Sequence, residues 1–102
     1  MEQSLLLHLA AHDNPSIRYM YLTGYAGKWQ SDPEVVAVKQ AVKTSPLIET
    51  MLSPRSEDGE LPFHAYYKWR GAYWTLLQLV DLGYPSGDDS LVPLFAQCFD
   101  WL

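Results

Sequence analysis

The chain has 102 residues, one domain by length, and its 48% hydrophobic and 14% aromatic content fills a core without metals or crosslinks. Net charge is −5 and the seven basic residues are scattered from Arg18 to Arg70, which excludes the clustered basic footprint that nucleic acid or anionic lipid requires. A single Cys98 excludes an internal disulfide and fits a reducing compartment.

The first helix is expected over about 2–12. Met1-Glu2-Gln3-Ser4 lacks the positive region of a signal peptide, and residues 5–11 are too few to span a bilayer. A soluble cytoplasmic protein without a membrane span is expected. Asn14-Pro15-Ser16 is no glycosylation site, because proline holds the excluded position. His8 and His12 stand at i and i+4, but two histidines without an intervening Glu are an incomplete metal site. A solvated face is the expectation, and no metal.

Three capping residues precede proline directly: Asn14-Pro15, Asp32-Pro33 and Ser45-Pro46. Each predicts a helix start, since the cap accepts from an orphan N–H and proline at the first position sacrifices no bond. Helices follow over about 15–24, 33–44 and 46–53. Residues 19–22 come nearest to a strand, yet the cap-proline start and Gly24 stop favour helix. Between elements, 27–31 carries the isolated Trp29, and the polar, turn-rich 53–62 is expected to be a solvated connection and the segment freest to move.

The segment from 66 to 83 predicts the central helix. Trp69, Tyr73, Leu76, Leu77 and Val80 form one apolar face, Trp74, Leu79 and Leu82 its flank. Lys68, Gly71, Thr75 and Gln78 leave a narrow polar stripe. Such a helix should be wrapped by others. Gly83 ends it and Pro85 prevents its resumption. A last helix over about 89–101 places Leu91, Leu94, Phe95, Cys98, Phe99 and Leu102 on one face, with Pro93 inside the first turn. Cys98 reads as a core residue rather than a reactive thiol.

The fold class is therefore all-α: one helical-repeat-like domain, 1–102, of stacked antiparallel α-hairpins, each burying its face on the next. The chain stops at Asp100-Trp101-Leu102 in the middle of an apolar face. A covering second chain, or a longer polypeptide, is expected.

Asn14-Pro15-Ser16-Ile17-Arg18-Tyr19, Asp32-Pro33-Glu34-Val35, Tyr67-Lys68-Trp69-Arg70-Gly71-Ala72-Tyr73-Trp74 and Leu82-Gly83-Tyr84-Pro85 resemble the opening of bacterial proteins similar to squalene–hopene cyclases and prenyltransferases. The resemblance implies one arc of an α/α toroid and an apolar, isoprenoid-type ligand. Where such proteins carry an aspartate–glycine turn leading to Trp, Asp58-Gly59 is followed by Glu60-Leu61-Pro62. Their proton-donating Asp-x-Asp-Asp motif is echoed by Ser86-Gly87-Asp88-Asp89-Ser90. The resemblance makes Asp88 the donor, with Ser86 replacing the leading aspartate. Either Asp88 or Asp89 is more simply a cap for the final helix.

Tyr66, Tyr67, Trp69, Tyr73 and Trp74 are the candidate ligand-binding residues. Their faces suit a cation or an apolar chain at about 0.5–2 kcal/mol each, though packing between helices is the simpler expectation. His64 lacks a nearby partner for proton transfer, so helix-entry packing is expected. Arg18 and Arg70 suit an anion such as a diphosphate, or more simply a carboxylate partner, for example Glu34 or Asp81. No phosphate loop, dinucleotide fingerprint or serine elbow occurs, and no cofactor is expected. The expected function is a non-catalytic binding or assembly module, with Leu91, Phe95, Phe99, Trp101 and Leu102 facing a second copy or protein partner. The competing expectations are a reduced terpene-cyclase-like enzyme using Asp88, and a HEAT-like scaffold with an open groove.

Overall fold

The computed structural model describes residues 3–102, all helix and connection, with no strand among them. The expected helix start at residue 2 and the leader reading of Met1 and Glu2 fall outside the described residues. The helices are α1 (Gln3–Ala10), α2 (Pro15–Met20), α3 (Pro33–Lys43), α4 (Pro46–Leu52), α5 (Ala72–Asp81) and α6 (Val92–Trp101). None is long and apolar enough to cross a membrane. The chain forms two compact units: the residues through Ser45 with Leu82–Pro85, and Pro46–Asp81 with Ser86–Leu102.

In the first unit two of the three cap-proline signals act as read. Asn14 accepts from the Ser16 N–H at 2.9 Å and Asp32 from the Glu34 N–H at 2.9 Å, with proline just inside each helix. At Ser45-Pro46 the helix also starts at the proline, but the buried Ser45 hydroxyl finds no hydrogen-bond partner among the described residues and makes no cap bond. Beyond Met20 the helix widens into a π turn, Tyr21–Tyr25, closed by the Ala26 N–H on the Tyr21 carbonyl at 2.9 Å. The Thr23 hydroxyl donates to the Tyr19 carbonyl at 2.9 Å, a side-chain competitor that loosens the ladder here. Gly24 therefore lies inside the helical run, and the stop falls at Gly27. Val35, Val38 and Val42, three and four residues apart, are the buried stripe of α3. Gly83, with φ at 93°, lies flat on the Tyr19 ring, where any Cβ would stand 2.6 Å from Cγ. No residue but glycine fits there.

The second unit buries Ile48, Leu52, Leu61, Ala65, Ala72, Thr75, Leu79, Leu91 and Leu94. Its central helix begins six residues later than its aromatic periodicity predicts, since 66–71 is a turn-rich segment folded back over the start of α5. The Tyr73 N–H donates to the Ala65 carbonyl at 3.0 Å and the Gly71 N–H to the Tyr67 carbonyl at 2.7 Å. Close approach explains Gly71: a Cβ would strike the backbone carbonyls of His64 and Ala65. Tyr73 at the start of α5 lies 6.2 Å ring to ring from Trp101 at the end of α6, so these helices form an antiparallel hairpin.

The inward face of α5 is the reverse of the one its hydrophobicity predicts. Gly71, Ala72, Thr75 and Leu79 are buried, two of them from the supposed polar stripe. Of the supposed core face, Trp69, Tyr73, Leu77 and Val80 are exposed and Leu76 is half-buried. Small side chains permit close packing and are inside for that reason; an apolar-all-round helix has no strong preference otherwise. The 53–62 segment is also not a free loop. Leu61 exchanges two hydrogen bonds with the Gln97 amide, at 3.0 and 2.8 Å, and Arg55 Nη1 donates to the Ser90 carbonyl at 3.3 Å. These bonds pin it to the start and middle of the last helical run.

Candidate functional site

Four of the five aromatic candidates gather at the head of the α5–α6 hairpin. Tyr66 lies 5.3 Å from Tyr73 and 5.5 Å from Trp74, and Trp69 lies 5.0 Å from Trp74. A fifth ring comes from the far end of the chain: Trp101 stacks on Tyr66 at 4.9 Å, with His64 edge-on at 6.0 Å. Sequence reasoning gave Trp101 to the interface set, because nothing local ties it to residue 66. Tyr67 leaves the group and stacks on Phe63 at 5.6 Å, and Arg70 lies over that same Phe63 ring at 4.4 Å. Rings at these separations fill one another's space, and the group is a packed aromatic layer rather than an open cage.

Trp69 adopts φ of 70°, a left-handed conformation that disfavours a bulky side chain by about 1–2 kcal/mol. Contacts around it hold it there. Gln78 Nε2 donates to the Trp69 carbonyl at 2.9 Å and to the Trp74 carbonyl at 3.1 Å, while Lys68 Nζ sits 5.3 Å over the indole. His64 Nδ1 accepts from the Tyr66 N–H at 3.1 Å, a turn contact that matches its expected packing role.

Asp88 sits at the cap of the final helical run, a 3₁₀ turn at Asp89–Leu91 leading into α6, and accepts from the Ser90 N–H at 3.0 Å. Its carboxylate is engaged in ending a loop, the simpler of its two expected roles. Nor does Asp88 line the groove beside Tyr73.

That groove is wholly apolar. Tyr73, Leu76 and Leu77 of α5 face Phe95, Cys98 and Phe99 of α6, with Leu102 at the end, around about 250 Å³. Leu77 is 46% exposed, Phe95 51%, Phe99 74% and Leu102 87%. Of the interface candidates, Phe95, Phe99, Trp101 and Leu102 are exposed. Leu91 is not: it closes the 3₁₀ turn ahead of α6, is buried with Leu94 and serves the core. Cys98 lies half-buried in the groove, and that burial pushes its thiol pKa up, keeping it neutral near pH 7.

Elsewhere the expected carboxylate partners of the arginines are not used. Arg18 Nη1 donates to the carbonyls of His12 and Asp13, and no ion pair to Arg18 or Arg70 occurs among the described residues. His12 lies past the end of α1, its Nδ1 accepting from the Asn14 N–H at 3.0 Å, with the His8 ring edge-on at 5.1 Å. No cluster of three metal-ligating side chains exists among the described residues. No protein family, curated protein or solved structure matches the chain.

Proposed function

We propose that the protein is a non-catalytic helical assembly module that associates with a second copy through the outer face of the α5–α6 hairpin. The observation that carries this reading is the uncharged strip of large side chains on that face. Tyr73, Leu77 and Val80 lie along α5 at steps of four and three, and Val92, Phe95, Phe99 and Leu102 lie along α6 at steps of three and four, all exposed. A hairpin carrying a second apolar strip, opposite the one it buries, is half of a four-helix bundle. Large exposed apolar patches mark interaction sites. None of the strip's own side chains is charged, so covering them buries no carboxylate side chain of the strip itself.

Magnitudes favour a protein surface over a small apolar ligand. Small-molecule pockets run to about 300–1,000 Å³, whereas this groove is about 250 Å³. Each strip residue stabilises by about 1.5–3 kcal/mol when fully covered, against an association cost of about 4–15 kcal/mol. Most of the strip must therefore be covered at once, which a second hairpin does.

Sedimentation equilibrium of the full chain over a concentration series tests this. A concentration-dependent dimer is expected, and Phe99→Asp should sediment as a monomer with unchanged helical circular dichroism. A wild-type chain that stays monomeric at the highest concentration overturns the reading.

A further inference from the structure

The first unit holds a concavity of its own. An open concavity of about 510 Å³ is lined by Ala10, Arg18, Tyr21, Leu22, Ala26, Lys28, Glu34, Ala37 and Val38, a size typical of small-molecule sites. Its charges are unequally matched. Lys28 Nζ has two carboxylates, Asp32 at 3.8 Å and Glu34 at 3.5 Å. Arg18, half-buried on the opposite element, has none among the described residues. Two backbone carbonyls hold Nη1, which fixes the plane of the guanidinium and leaves its other donors for a ligand.

From this we infer that the pocket binds a small molecule bearing one carboxylate on a short apolar body. The guanidinium, with no carboxylate partner among the described residues, supplies a bidentate fork for the ligand carboxylate. Glu34, lining the same pocket from α3, disfavours a second negative charge, which separates a monocarboxylate from a phosphate dianion. Leu22, Ala37 and Val38 provide the apolar wall, and the alanines leave room where larger residues would fill it. The π turn bears on the same wall. Its extra residue widens the helix where Tyr21 and Leu22 meet the pocket, a distortion found often at functional sites.

The test is an amide-resolved NMR titration of the full chain with hexanoate, with hexan-1-ol and inorganic phosphate in parallel. Hexanoate should give saturable shifts at Tyr21, Leu22, Ala37 and Val38, and the other two should not. Arg18→Gln should weaken hexanoate by at least about tenfold, as loss of a charge-assisted hydrogen bond requires. Ala37→Leu, which fills the cavity without touching a charge, should weaken it too. Equal binding of hexan-1-ol, equal binding of phosphate, or no saturable shift at these amides overturns the proposal. So does an Ala37→Leu chain that binds as wild type.

Discussion

The two sides of the α5–α6 hairpin differ in a way that hydrophobicity does not express. Inside lie Ala72, Thr75, Leu79, Leu91 and Leu94; outside lie Tyr73, Leu77, Val80, Phe95 and Phe99. The outer set is the larger and the more aromatic. On α5 burial follows how closely two backbones must approach, and the small Ala72 and Thr75 share the interior with Leu79. Size left over on the outside then becomes surface for association.

Substitutions on the two sides should separate this most sharply. Leu94→Ala, at a fully buried position, should destabilise the chain by about 2–5 kcal/mol in urea unfolding. Phe99→Ala, the larger truncation, should stay within about 0.5 kcal/mol when measured on dilute monomer. Equal losses would break the contrast. Gly71→Ala adds a single methyl to the inner side and should cost about 1–3 kcal/mol, because the carbonyls it meets are backbone and cannot step aside. A neutral outcome in thermal melts would show that 64–71 is looser than its hydrogen bonds imply.

The smallest effect belongs to the loop pinned against α6. The Ser56 hydroxyl, first, and then a backbone bond hold the Asp58 carboxyl below the usual carboxylate range. A depressed folded-state pKa adds stability above the ordinary aspartate value that is lost as pH falls through the lowered one. Ser56→Ala should return the Asp58 titration, followed by carboxyl NMR, toward the ordinary value, with almost no change in melting temperature at pH 7. An unmoved titration would assign the shift to the backbone alone.

Local signals were legible in the chain, and orientation was not. Asn14-Pro15 and Asp32-Pro33 announce their helices because a cap acts within three residues. All six helices were foreseen, with α1 and α5 shorter than read. For α5 the apolar residues run all round the cylinder, so periodicity names no inward face. The usable signal was Gly71-Ala72 followed by Thr75, small residues at helical spacing. The aromatic layer was half visible: Tyr66, Trp69, Tyr73 and Trp74 are neighbours in sequence, whereas Trp101 reaches them only through the fold. Nothing in the pattern could show that Trp69 turns left-handed and starts the helix late.

Gly83 against Tyr19 carries a consequence for biosynthesis. The first unit is sewn from two stretches of polypeptide, and its closing stitch emerges from the ribosome only after α5 has been made. Until then the Tyr19 ring lacks the Gly83 that lies against it, a window in which chaperones or premature aggregation compete for the growing chain. Severing the gene between codons 45 and 46 would accordingly deprive the first piece of its closing stitch, while the second keeps every residue of its own unit.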